Sequence, residues 1–185
     1  MKNRYCSECG TAYETTWPTD ELVWPRRCPN CHVERWLNAS SVSVVMQPVI
    51  ETPSGETGLV IAKRAIEPAK GMWALIGGFV APGESIEQGA YREFREETGL
   101  ALASMPQIVS NEPVGVTEAP KLLFMTYVDK AMPYEVFLQG KPCHENDELG
   151  LLFASSTIEL AFPTHRAAAA QFFDGVYGDD ILKGH

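Results

Sequence analysis

A chain of 185 residues, 45% of them hydrophobic, is long enough for one well-buried domain and a small appendage. Its 15 Lys and Arg against 24 Asp and Glu leave a formal charge of −9. That excess argues against non-specific binding to nucleic acid or to an acidic membrane, which rests on basic groups neutralising phosphates. An acidic chain that handles phosphates needs a metal ion. The opening "MKNRYCSECG" has no apolar core of signal-peptide length, and no later run approaches the roughly 18 apolar residues of a membrane span. A cytoplasmic protein with no membrane partner is the simplest expectation.

Residues 1–37 are dense in Cys, Pro, Trp and charge and lack a sustained period, whereas the text from "SSVSVVMQPVI" onward is regular, so the chain divides near Asn38 into modules 1–37 and 38–185. Four of the five cysteines form the pairs Cys6/Cys9 and Cys28/Cys31, each C-x2-C, with 18 residues between the pairs. In a reducing compartment this spacing points to metal before disulfide, and it suits two knuckles closing a tetrahedral Zn(Cys)4 ribbon. About 37 residues with few aliphatics cannot bury enough apolar surface to fold alone, so zinc would supply folding energy. Cys143 is left as an ordinary thiol and His32 as a bystander. Ribbons of this kind often bind nucleic acid, but Arg26, Arg27 and Arg35 are offset by Glu8, Glu14, Asp20, Glu21 and Glu34, and no basic stripe results.

Further along, "SVSVVMQPVI" and "GLVIAKRA" are β-rich runs joined by "ETPSGET", whose Pro, Ser and Gly suit a hairpin. "ALIGGFV" reads as a short buried strand. Ser85 with Gln88 three residues on makes a capping box, and Gly99 stands where a helix ends in a left-handed conformation, so a helix is expected over Ile86–Thr98. "KLLFMTYVDK", "YEVFLQG" and "ELGLLFAS" are strand candidates, and Thr164 is placed to cap a closing helix over "HRAAAAQFFDGV". Strands enclosing and followed by helices, without a regular βαβ repeat, indicate a mixed α/β layer fold.

On the expected helix, Glu93, Glu96 and Glu97 share one face, because successive residues turn by about 100°. Like charges so placed destabilise a helix by about 0.2–0.5 kcal/mol per pair. A divalent cation would turn that cost into a site, since hard ions prefer oxygen ligands and sit between carboxylates and phosphates. Small Gly89 and Ala90 leave room beside the acids, Tyr91 and Phe94 suit packing, and Arg92 and Arg95 could orient the acids by bidentate pairing. Taken alone, "REFREE" fits a solvated acidic face with counter-charged arginines equally well.

The longer stretch "GGFVAPGESIEQGAYREFREETGL" resembles the Nudix box, G-x5-E-x7-R-E-U-x-E-E-x-G-U with U apolar, through Gly78, Glu84, Arg92, Glu93, Phe94, Glu96, Glu97, Gly99 and Leu100. Phe94 is a bulkier apolar choice than the usual aliphatic. The preceding "GMWALIGG" resembles the family's G-x-W-x-L-P-G-G lead-in, with Ile76 in place of Pro. The resemblance implies an α/β/α sandwich with a mixed sheet, behind the small N-terminal zinc ribbon, and one to three catalytic Mg²⁺ or Mn²⁺ ions. It makes Glu93 and Glu97 the principal ligands, Glu96 a further ligand or base, and a backbone carbonyl near Gly77 another ligand. Arg92 would steer a catalytic glutamate and Glu84 would brace the loop. A further acid from outside the box is common in the family, and "CHENDELGLLF" offers Glu148, with Glu145 as the alternative.

A four-cysteine ribbon ahead of such a domain looks like the arrangement in NADH, FAD and ADP-ribose pyrophosphatases, where it is structural and assists dimerisation. The implied substrate is a small dinucleotide or nucleotide sugar (FAD, ADP-ribose or NAD(H)) cleaved at its pyrophosphate to release a nucleoside monophosphate, and the implied assembly is a homodimer. The S-Q-P-W-P-F-P-x-S array shared by NADH pyrophosphatases does not follow this box, whereas "IELAFPTHRAAAAQFF" looks like the segment after the last strand in the FAD and ADP-ribose type. The alternatives are decapping of NAD-capped RNA, and a non-catalytic domain that senses a nucleotide and contacts a partner through its ribbon. Trp73, Phe79, Phe124, Tyr127, Phe153 and Phe162 are candidate stacking platforms, and Lys63, Arg64 and Arg166 candidate phosphate contacts.

Overall fold

The computed structural model describes residues 5–13, 25–36, 38–115 and 120–177. Glu14, Asp20 and Glu21, counted above against a nucleic-acid surface, lie outside them. The chain divides into two compact units, one of residues 1–40 with 113–122, the other of residues 41–112 with 123–185. In the first, β1 (Arg26–Arg27) and β2 (Glu34–Arg35) form an antiparallel ladder that sets Arg26 opposite Arg35 and Arg27 opposite Glu34.

The main sheet contains β3 (Ser40–Met46), β4 (Pro48–Ile50), β5 (Gly58–Arg64), β6 (Trp73–Phe79), β7 (Gln107–Val114), β8 (Lys121–Tyr127), β9 (Met132–Pro133) and β10 (Asn146–Leu152). Its order is β7-β8-β3-β6-β5-β4-β9, with β10 paired to β5. The β4–β9 pair is parallel and the β4–β5 pair antiparallel, so the sheet is mixed, as expected. The expected run from Ser41 to Ile50 breaks at Gln47, where the chain leaves β6 to join β5. The buried Gln47 side chain is satisfied there by the carbonyls of Pro48 and Lys130 and by the amide of Ala103.

Alternation along the strands builds a core on each face. Val44, Met46, Leu59, Ile61 and Leu75 pack with Ala168, Ala169 and Phe172 of helix α3 (Pro163–Phe173). Val45, Val60, Ala62 and Ile76 pack with Ala90 and Phe94 of helix α1 (Ile86–Thr98). The unit is therefore the expected α/β/α sandwich. No helix among the described residues is long and apolar enough to cross a membrane.

Helix α1 begins and ends where its sequence places it. Ser85 Oγ accepts from the Gln88 amide at 3.2 Å, Gln88 Oε1 accepts from the Ser85 amide at 2.8 Å, and Gly99 closes the helix at φ 70°.

Two expectations need correction, and one strand is unexpected. "YEVFLQG" is not a strand but the short helix α2 (Tyr134–Phe137); Tyr134 and Phe137 stack with centroids 6.0 Å apart, which a helix permits at i,i+3 and a strand would prevent by turning them to opposite faces. Thr164 does not cap α3: Phe162 is the cap and Pro163 takes the first turn, where its missing N–H costs nothing. Strand β7 was not anticipated, because "QIVSNEPV" lacks apolar alternation and carries a proline, as an edge strand can.

Beneath α1, the fully buried Ser43 hydroxyl has no hydrogen-bond partner among the described residues, a cost of about 1–3 kcal/mol. Replacing Ser43 with Ala should raise Tm by about 2–4 °C for each kcal/mol recovered; a lower Tm in a thermal melt would show that the hydroxyl is satisfied.

Candidate active site and thiol cluster

The site is built around one guanidinium. Arg92 Nε and Nη2 donate to Glu84 Oε1 and Oε2 at 2.8 and 3.0 Å, Nη1 donates to Glu93 Oε1 at 2.8 Å and Glu96 Oε2 at 3.0 Å, and Nη2 also donates to the Phe79 carbonyl at 2.9 Å. These bonds use the full donor capacity of the side chain. Glu84 also accepts from the Ala81 amide at 2.9 Å, and Arg92 first, then that amide, hold its carboxyl below the ordinary range.

Glu93 is pressed against the β6 backbone: a Cβ at Gly78 would lie 2.4 Å from its carboxylate. At Gly77 a Cβ would lie 2.2 Å from the Ser43 carbonyl, so β3 and β6 approach too closely there for any other residue. Burial raises the Glu93 pKa, opposed by Arg92 and reinforced by the charges of Glu96 and Glu145.

Glu97 is the box acid that Arg92 does not take up; its Oε2 accepts from Asn146 Nδ2 at 2.7 Å. Burial pushes its pKa up to about 7, with Glu93 and Glu145 adding and the Asn146 amide and Gly77 backbone opposing. Glu96 stands exposed at the solvent side. Among the described residues the four cysteines are the group whose ligand atoms lie close enough together that they could hold a metal ion, and the box acids are turned instead to Arg92 and Asn146.

The structure does not bring Glu148 to this site. On β10 the register against β5 slips by one between Asn146 and Glu148, pairing Asn146 with Arg64 and Glu148 with Lys63. Cross-strand partners share a face, so Asn146 lies with Val60 and Ala62 on the α1 side and Glu148 on the α3 side with Leu59 and Ile61. The loop acid whose charge reaches Glu93 and Glu97 is Glu145. Asn146 is not legible from sequence, because an amide among the acids of "ENDELG" carries no metal-ligand signal of its own.

The other candidates mostly serve the fold. Tyr127 packs on Phe172 and Tyr177, and Trp73 and Phe162 line the α3 side. Arg64 donates to the Pro68 carbonyl and lies 5.4 Å over Phe162, while Arg166 binds the Leu160 carbonyl and pairs with Glu159 at 3.5 Å. Buried His165 accepts from the Leu75 amide on Nδ1 at 3.2 Å; burial pulls it down to about 3, so it is a neutral tether of α3 to β6. Phe153 alone of the six platforms lines the hollow of about 340 Å³ among Pro53, Ser54, Tyr134, Phe137 and Leu151.

In the first unit, Cys6, Cys9, Cys28 and Cys31 hold their sulfurs within 4.8 Å of one another. Cys6 and Cys31 lie 3.5 Å apart and Cys9 and Cys28 3.6 Å, too far for a disulfide and close to the roughly 3.8 Å between ligands of a tetrahedral thiolate site. Each knuckle turns through a left-handed residue after its second cysteine, Gly10 at φ 70° and His32 at φ 59°.

The family model of the NUDIX domain matches residues 42–152, more than half of the chain. The chain belongs to the NUDIX family. It is 32% identical over 108 residues to the NAD-capped RNA hydrolase NudC of Pseudomonas aeruginosa, covering 58% of this chain and 35% of that protein. Over 58 residues it is 41% identical to an ADP-ribose pyrophosphatase of Methanocaldococcus jannaschii, covering 31% of this chain and 32% of that one. The chain thus spans about a third of these curated relatives. A NUDIX hydrolase structure from Nitrosomonas europaea superposes with a TM-score of 0.65 at 21% identity, covering 93% of this chain and 91% of that one, which shows the shared fold.

The raised Glu97 pKa fixes a pH dependence for the NUDIX unit. The folded state holds this proton more tightly than the unfolded chain, whose carboxyl has a pKa of about 4.3, so stability falls as pH rises from there through about 7 and levels off above. In buffer without Mg²⁺ or Mn²⁺, Glu97→Gln should flatten that fall and raise Tm at pH 8 by about 2 °C or more. An unchanged Tm–pH profile would show that Glu97 ionises normally.

Proposed function

We propose that the NUDIX domain hydrolyses the pyrophosphate bond of a nucleoside diphosphate linked to a second moiety (FAD, ADP-ribose or NAD(H)) and releases a nucleoside monophosphate. The observation that carries this reading is the Arg92-centred array, which holds Glu84, Glu93 and Glu96 while Glu97 is held separately beside Gly77 and Asn146. The all-oxygen donor set of Glu93, Glu96, Glu97 and the Gly77 backbone fits Mg²⁺ or Mn²⁺. Such an ion, when bound, lowers the pKa of water and neutralises charge on the phosphate under attack.

The chain's own residues divide the remaining work. Arg92 fixes Glu93 and Glu96 on one side of α1, and Glu84 ties the preceding loop to the same guanidinium. Glu96, the exposed member of the array, is suited to take a proton from water, and Glu145 supplies further negative charge from the β10 loop. The cysteine cluster is read as a structural Zn²⁺ ribbon over residues 1–37, ahead of the catalytic module 38–185; thiolates at this spacing suit zinc, and so small a module gains its folding energy from the metal.

NAD-capped RNA, for which the Pseudomonas relative is named, carries the same diphosphate and belongs in the same substrate panel. With Mg²⁺ and then Mn²⁺, release of a nucleoside monophosphate from a member of that panel is expected. Glu97→Gln should lower kcat by about a hundredfold or more. Full activity in the variant would remove Glu97 from the mechanism, and nucleotide binding without turnover would favour a sensor. Replacing Cys28 and Cys31 together with Ser should empty the ribbon, read as zinc per chain by elemental analysis; undiminished zinc would refute the ligand set.

A further inference from the structure

Asn146 is 7% exposed and stands at the first position of β10, where the register slip turns it toward α1. Its amide group donates to Glu97 Oε2 at 2.7 Å and reaches Cys143 Sγ at 3.8 Å. Its backbone N–H donates to the Cys143 carbonyl at 3.1 Å. The same turn closes the end of α1, with Cys143 N–H donating to the Glu97 carbonyl at 3.3 Å and Lys141 N–H to the Thr98 carbonyl at 2.8 Å. The segment thus grips the last turn of the box helix by its backbone and aims one neutral donor at its last acid.

An amide Nδ2 can donate to a carboxylate but cannot ligate a cation, so its position has two effects. It occupies one lone pair of Oε2 and leaves Oε1 as the oxygen not engaged by the amide. It also puts an uncharged group where a carboxylate of the same shape would add a charged ligand. Bulges that re-aim a side chain recur beside active sites, and this one separates Asn146 from Glu148 by face.

We infer that Asn146 is a positioning residue of the NUDIX site: its amide orients Glu97 for a divalent cation, and its neutrality limits how strongly the acidic cluster binds that cation. The inference rests on reading Glu97 as a cation ligand. It does not require that the chain turn over any nucleotide.

The test is Mn²⁺ binding to the full chain, read from the loss of the free-ion electron paramagnetic resonance signal, for the parent, Asn146→Ala and Asn146→Asp, beside thermal melts and steady-state kinetics. Asn146→Ala removes the donor and should weaken Mn²⁺ binding by about 10- to 100-fold. Asn146→Asp keeps the shape and adds a carboxylate, and should bind Mn²⁺ more tightly than the parent. In both variants kcat should fall while KM for the dinucleotide holds. A purely structural Asn146 would move both variants in one direction, so both weakened alike, or both binding as the parent does, would overturn the assignment. The isosteric Asp variant decides the matter should the Ala variant fail to fold. Mn²⁺ binding without hydrolysis in the parent would defeat the hydrolase reading and leave this comparison standing.

Discussion

Three acids on one face of a 13-residue helix must be held against their own repulsion; Asn146 holds Glu97, and Arg92 holds Glu93 and Glu96. The planar fork of Arg92 engages three glutamates and a backbone carbonyl at once, which a point-charge lysine could not do. Because two of those partners precede α1, at Phe79 and Glu84, the same guanidinium also ties the end of β6 and the loop beyond it to the helix. The seating of α1 on the sheet follows: with the polar face tied down, Ala90 and Phe94 turn inward to the core formed by Val45, Val60 and Ile76.

The sheet contributes by what it omits as much as by what it presents. Gly77 and Gly78 let β3 and the Glu93 carboxylate approach the β6 backbone within distances that any side chain would block. Burial raises the pKa of both Glu93 and Glu97, and the water each loses is only partly replaced, by Arg92 at Glu93 and by the Asn146 amide and the Gly77 backbone at Glu97. Acids so desolvated favour a proton, or a cation, over bare charge.

Helix α1 was legible to the residue because its signals are local: a capping box, a left-handed glycine and a face of acids all lie within fifteen positions of Ser85. The two-sided core was legible from alternation. Glu148 and Asn146 were not, because strand parity read from sequence puts them on one face and a single extra residue at 147 puts them on two. A bulge is a property of the pairing between β5 and β10, and nothing in "ENDELG" marks it. Helix α2 was hidden in a similar way, since four residues carry too little period to separate a turn of helix from a strand, and the Leu138 N–H bond to the Tyr134 carbonyl with the Tyr134–Phe137 contact decides it.

The two proposed metal positions need no common gatekeeper, since their donors sort the ions. Four thiols within 4.8 Å, two of them buried, form a soft and closed set that leaves a hard ion such as Mg²⁺ without suitable partners. Around α1 the donors are carboxylates and backbone, several already sharing their oxygens with Arg92 and Asn146, an open and hard set that suits a cation retaining its waters. Retained water is what hydrolysis consumes, whereas a structural ion gains from excluding it. On the proposed reading, ligand chemistry alone would keep apart one metal that folds a small module and another that activates water.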